Sequence, residues 1–277
     1  MTHTDSQTDP SAPPPIPLRT RSAPPSSAPP APQRNPVLHF WIDLGIAIVS
    51  LIGLSVAGAV GLAVFQAARG GAAAALAPPG ALAQILIAVF ATGGTAAVLY
   101  LLRARATATE RTASMQSARR PSTLGIAVLT GLGIFVGSTV LTLGAAQLGV
   151  QPKPTNMPLM QDAMQRFPVF LAVFAVLLAP LYEEVLFRRA LFGRLWRGGR
   201  PVLGMLLSGA AFALVHEIPG TSDNGPLQIL LLWTIYGGMG IAFAWIYRRT
   251  GTLLAPIIAH AINNGIAVIA LFMGFGV

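Results

Sequence analysis

The sequence predicts an all-α, polytopic transmembrane helical bundle of about seven spans, bracketed by six and eight. Three observations carry this. Of 277 residues, 53% are hydrophobic and only 10% charged, whereas a soluble domain carries about a quarter charged residues. Apolar runs recur near the length of about 20 residues that a helix needs to cross a bilayer core. Arginines gather in every second gap between those runs.

Residues 1–36 come first and hold 11 of the 23 prolines, with Ser, Ala and Thr between them. Such a stretch cannot bury enough apolar surface to offset its chain entropy, so it is expected to be a disordered cytoplasmic tail. It does not read as a signal peptide, because the apolar run begins only near Leu38 and is too long for an h-region. The expected spans are 38–67, 81–102, 122–149, 168–192, 201–217, 227–247 and 252–275, of which 201–217 is the shortest. They divide the chain into N-terminal transmembrane helices over 37–150 and a C-terminal helical core over 168–275. Pro78-Pro79-Gly80, Pro121, Pro152 with Pro154, Gly198-Gly199-Arg200-Pro201, and Pro219-Gly220 through Gly225-Pro226 mark the breaks.

Loop charge sets the expected orientation. Arg103, Arg105, Arg111, Arg119 and Arg120 follow span two. Arg188, Arg189, Arg194, Arg197 and Arg200 follow span four, and Arg248 and Arg249 follow span six. The alternate loops carry only Arg69, then Lys153 and Arg166, then no basic residue in 218–226. The positive-inside rule then puts the N-terminus in the cytoplasm of a bacterial-type plasma membrane. The net charge of +9 is read as anchorage to anionic lipid rather than as a nucleic-acid surface. The absence of cysteine excludes disulfides, thiolate metal sites and a cysteine nucleophile. Small residues inside the spans, Gly133 with Gly137 and Ala57 with Gly61, are expected to mark close internal packing, with a dimer seam as the alternative; oligomeric state is otherwise open.

The chemistry concentrates after residue 180. The stretches are Leu181-Tyr-Glu-Glu-Val-Leu-Phe-Arg-Arg189, Phe212-Ala-Leu-Val-His-Glu217 and His260-Ala-Ile-Asn-Asn264. A charge at mid-bilayer costs roughly 2.5–3.5 kcal/mol on insertion scales, and helix packing alone does not require that expense. Glu184 and Arg188 are four apart and share a face, while Glu183 points about 100° away without a partner on its own helix. Phe212 with His216, and His260 with Asn264, share faces at the same spacing. Three helices can each offer a polar stripe to one cavity. Taken singly, the cluster around Glu183 has an interfacial charge network as its lesser alternative, His216 reads more readily as structural than catalytic, and His260/Asn264 reads equally as interhelical hydrogen bonding; Asn263 reads as packing or capping.

Together, Glu183-Glu184-x-x-x-Arg188, Phe212-x-x-x-His216 and His260-x-x-x-Asn264 resemble the ordered motifs of the CAAX prenyl endopeptidase and bacteriocin-processing (CPBP, or Abi) family. The run from Tyr247 to Asn264 is similar to that family as well, and the resemblance covers about 168–270. It implies a CPBP-like catalytic core and endoproteolysis within the membrane, near the cytoplasmic leaflet, on a peptide or protein substrate. It further implies that Glu183 activates water with help from His216, and that His260 and Asn264 stabilise the oxyanion. Glu184 and Arg188 then support Glu183, beside Phe212. His216, His260 and Glu183 are also a possible Zn²⁺ set, but without an HExxH motif the expectation leans to a metal-free site. The alternatives are a non-enzymatic immunity or peptide-binding protein of the same fold, and a transporter with a Glu/His proton relay. One discrepancy is built into the expected boundaries. At 1.5 Å per residue, Glu183 and His260 lie about 10 Å from the cytoplasmic face and His216 about 20 Å away.

Overall fold

The computed structural model describes residues 35–275. The expected tail over 1–36 lies almost wholly outside the described residues. Among the described residues there are nine helices and no strand. They are α1 (Pro36–Ala75), α2 (Ala81–Arg103), α3 (Ala108–Ala118), α4 (Pro121–Gln147) and α5 (Met157–Arg166), followed by α6 (Pro168–Arg197), α7 (Pro201–His216), α8 (Pro226–Thr250) and α9 (Leu254–Phe272). Six of them are long and apolar enough to cross a membrane, and α7 is a shorter apolar helix. Large apolar side chains such as Val49, Leu129, Val140 and Val169 face outward, the inverse of a soluble protein and the arrangement lipid requires.

Proline sets the helix starts. Pro36, Pro121, Pro168, Pro201 and Pro226 each occupy the first turn, where a missing N–H costs nothing and the fixed φ suits a helix. The Asn35 side chain caps α1 by accepting from the Val37 and Leu38 amides. Gly71, at φ 77°, breaks α1 near its end. Gly251, at φ 70°, ends α8 in the left-handed conformation that glycine adopts freely.

Two helices lie outside the expected spans. α3 sits in the arginine-rich loop after α2 and is opened by a capping box, in which the Thr107 hydroxyl accepts from the Glu110 amide and the Glu110 carboxylate from the Thr107 amide. α5 occupies part of the loop between α4 and α6.

The packing pairs are α1 with α2, α2 with α6, α7 with α8, and α4 with α9. The expected small-residue contacts need correcting. A Cβ at Gly133, Gly137 or Gly61 would meet nothing within 4 Å, and Ala57 is exposed, so none of these marks a close approach. Close approach occurs instead at Gly131, where a Cβ would sit 2.6 Å from the Ala259 carbonyl, and where Gly240 faces Gly209, with 2.8 Å between its Cβ position and the Gly209 Cα. These contacts draw α4 onto α9 and α7 onto α8. The core between them holds Phe40, Leu99, Leu191, Leu195, Phe212 and Phe243.

Candidate active site

α6 is not a uniform α-helix. Its turns widen to π geometry over Phe174–Leu178 and again over Glu184–Phe192. Pro180 explains the first of these, since it cannot donate to the carbonyl one turn earlier. The Ala175 carbonyl in that widened turn accepts instead from the Asn264 side chain at 2.9 Å, which ties α9 to α6 beside the site. Single π turns of this kind are frequent at functional sites.

Glu184 and Arg188 form the i,i+4 ion pair read from the sequence, Nε to Oε2 at 3.0 Å, with both side chains fully buried. The Arg188 guanidinium also lies over the rings of Phe212 and Phe243, 4.6 and 5.0 Å from their centroids, and donates to the Gly240 carbonyl. Buried charge survives only with such compensation.

Glu183 points away from this pair, into a cavity. His216 Nε2 approaches Glu183 Oε2 at 3.8 Å and His260 Nε2 approaches the same oxygen at 3.9 Å. Each imidazole is held from behind. His216 Nδ1 donates to the Phe212 carbonyl at 2.8 Å, and His260 Nδ1 donates to Glu184 Oε1 at 2.9 Å. A carbonyl and an ion-paired carboxylate can only accept, so Nδ1 carries the proton in both rings. Where that is a ring's one proton, Nε2 turns a lone pair toward Glu183. Three acceptors therefore surround one small space, and Glu183 Oε2 is buried there without a hydrogen-bond partner. Stacking fixes the ring planes, His260 on Phe243 at 4.8 Å and His216 on Phe212 at 4.2 Å.

Glu183, His216, His260 and Asn264 thus line one cavity of about 300 Å³, with Phe212 behind His216. The depth discrepancy disappears for a simple reason. α6 runs on to Arg197, five residues past the expected boundary at 192. Glu183 and His216 consequently stand 14 and 15 residues from the facing ends of two antiparallel helices, which puts them level.

The donor set is of the kind zinc uses, but its spacing is not. Tetrahedral ligands at bond lengths of about 2.0–2.1 Å stand about 3.4 Å apart, closer than the 3.8 and 3.9 Å found here. Among the described residues no three His, Asp or Glu side chains gather at metal-binding spacing.

Two further residues were not singled out from the sequence, one lining the cavity and one bracing its rim. Tyr236 lies against His216 at 4.8 Å and lines the cavity. Glu217, fully buried, accepts from Thr155 and Ser222, each at 2.5 Å, and from Asn224 at 3.0 Å, while its backbone carbonyl accepts from Trp233. It ties the loop after α4, which forms the cavity rim, to the loop after α7. The cavity rises toward these loops and away from the three arginine-rich ones.

Fold and site define a helical membrane protein whose C-terminal half carries a buried Glu/His/Asn centre, and comparison finds similarity to known proteins in that half. Residues 165–266 match the family model described as type II CAAX prenyl endopeptidase Rce1-like, in line with the motif resemblance. The chain is 31% identical over 121 residues to a putative membrane peptidase, YdiL, of Bacillus subtilis, covering 44% of this chain and 45% of that protein. It is 30% identical over 148 residues to the membrane-embedded CAAX protease MroQ of Staphylococcus aureus, covering 49% and 53%. The chain thus spans about half the length of these relatives. No solved structure matches it significantly.

Proposed function

We propose that the protein is an intramembrane endopeptidase that hydrolyses a peptide bond with water activated by Glu183. The observation that carries this reading is the convergence of three acceptors, Glu183 Oε2 and the Nε2 atoms of His216 and His260, on one buried space. Such a space demands a donor. A water placed there gives one proton to Glu183 and another to an imidazole, leaving its lone pair toward the cavity where a scissile carbonyl would lie. Glu183 takes the proton as the oxygen attacks and returns it to the leaving amine.

The Asn264 amide has one N–H committed to Ala175 and a second free for the oxyanion. His260, with its proton on Nδ1 toward Glu184, keeps Nε2 as an acceptor that orients the water. Glu184 and Arg188 are positioning residues, acting through His260 and the packing around it. The similarity to two proteins described as a membrane peptidase and a CAAX protease supports the reaction class.

The test is cleavage of a quenched fluorescent peptide library by the purified full chain. Glu183→Gln keeps shape and loses the base, so the rate should fall by roughly 10²–10⁴ with the melting temperature unchanged. Glu184→Gln should act instead on stability, by roughly 3–5 kcal/mol, because it strands the buried Arg188 guanidinium. Chelators should leave the rate unchanged; loss on chelation and recovery with Zn²⁺ would convert the site to a metalloenzyme. An active Glu183→Gln protein would end the proposal in favour of peptide binding or immunity.

A further inference from the structure

The cavity above Glu183 has a direction, and the direction carries information about the substrate. Its floor is Glu183, His216 and His260. Its wall climbs α9 through Asn264, Ala267 and Leu271, and its rim is formed by Pro152, Pro154 and Asn156 in the loop after α4. Below the floor the bundle is shut. Phe187, Arg188, Phe212 and Phe243 fill it, none more than 2% exposed. The open end carries the loops 148–156 and 217–225, and the shut end carries the three arginine-rich loops.

The two ends differ sharply in charge. Arg103, Arg105, Arg111, Arg119 and Arg120 stand in a single loop at the shut end. At the open end Arg69, Lys153 and Arg166 are set against Asp162, Glu217 and Asp223. The positive-inside rule counts Lys and Arg in short loops, and here it assigns the shut end to the cytoplasm.

We infer that the substrate is an exported or membrane-anchored polypeptide, presented from the extracytoplasmic side as an extended apolar segment that descends this cavity to Glu183. The inference rests on the reading of Glu183 as the hydrolytic residue. From His260 to Leu271 the wall rises 11 residues of helix, about 16 Å, the length of about five extended residues. A folded domain cannot enter. The lining above the polar floor, including Phe135, Leu171, Phe174, Leu232 and Val268, matches apolar side chains and offers no cationic partner for an acidic segment.

Access can be measured without any cleavage assay, because the chain has no native cysteine. Ala267→Cys, in the cavity wall, is compared with Asp223→Cys in the open-end loop and Gln116→Cys on the exposed face of α3. A membrane-impermeant maleimide is applied to intact cells and to inside-out vesicles. Ala267→Cys should label in intact cells together with Asp223→Cys, while Gln116→Cys labels only in inside-out vesicles. Labelling of Ala267→Cys from the cytoplasmic side alone, or from neither side while both controls label, would overturn the inference. Ser138→Cys, on the α4 wall, reads the same route should Ala267→Cys not assemble. If labelling comes from outside yet no peptide is cut, the endopeptidase reading fails and the access route stands.

Discussion

The two ends of the bundle are held by different kinds of bond. At the arginine-bearing end, carboxylates grip guanidinium groups across helices. Asp43, fully buried in α1, takes the Nε of Arg103 from α2 and of Arg194 from α6, both at 2.7 Å, and Arg194 also donates to the Arg103 carbonyl. Glu110 of α3 takes Arg189 at 2.7 Å, while the Arg189 Nε donates to Ala104. Ser117 donates to the Thr250 carbonyl, and Ser114 to Thr252, which docks α3 on the α8–α9 turn. At the opposite end a single carboxylate, Glu217, gathers neutral donors from two loops. The contrast shows how one site meets two demands. Ion pairs fix α6, the helix that carries Glu183, whereas the loops at the cavity mouth are joined through uncharged donors on one carboxylate, without an ion pair between them.

Breaking each end separately tests that contrast. The largest effect is expected from Asp43→Asn, which removes the countercharge of two arginines at once. It should cost up to about 3 kcal/mol, the lower limit for a broken buried pair, because the two guanidinium groups are 26% and 23% exposed. Thermal unfolding of the detergent-solubilised protein would read it, and an unchanged melting temperature would contradict the picture of a charge-fixed end. Next comes Glu217→Gln, which replaces one acceptor oxygen with a donor amide facing Ser222, Asn224 or Thr155. A stranded donor costs about 1–3 kcal/mol. The loss should be local, appearing as faster hydrogen exchange over 151–157 and 217–225 rather than as early global unfolding.

The smallest effect is expected at Glu110. The side-chain hydrogen bond from Arg189, then the Thr107 amide, pull its pKa down from 4.5 to about 2. A depressed carboxylate contributes stability that is complete above the unfolded value and fades as pH falls through the folded one. The melting-temperature gap between wild type and Glu110→Gln should therefore be constant above pH 4.5 and close between 4.5 and about 2. Its size should stay under about 1 kcal/mol, since Glu110 is 39% exposed and solvent screens the pair. A gap that widened on acidification would be the wrong sign.

What could be read in the sequence was whatever is local along a helix. The spacing of Glu184 and Arg188, the shared faces of Phe212/His216 and His260/Asn264, and the apolar runs all follow from helical periodicity. What escaped depends on partners far along the chain. Nothing around Glu217 announces that Thr155, 62 residues earlier, will meet its carboxylate. The level of His216 was misjudged because Arg194 and Arg197 looked like loop, whereas Asp43 and close packing keep that stretch helical. The Thr107-x-x-Glu110 cap was local and legible, but it lay in a gap read only for its charge. Gly133 and Gly137 show the converse error: a spacing that suits close packing does not create a neighbour to pack against.

The Asp43 clamp has a bearing on how the chain is made. Asp43 leaves the ribosome well before its partners, for Arg103 follows 60 residues later and Arg194 another 91 after that. Until α6 has been synthesised, α1 holds a carboxylate at the membrane edge with at most one of its two counterions. The α1–α2 pair is therefore a provisional assembly that translation of α6 completes.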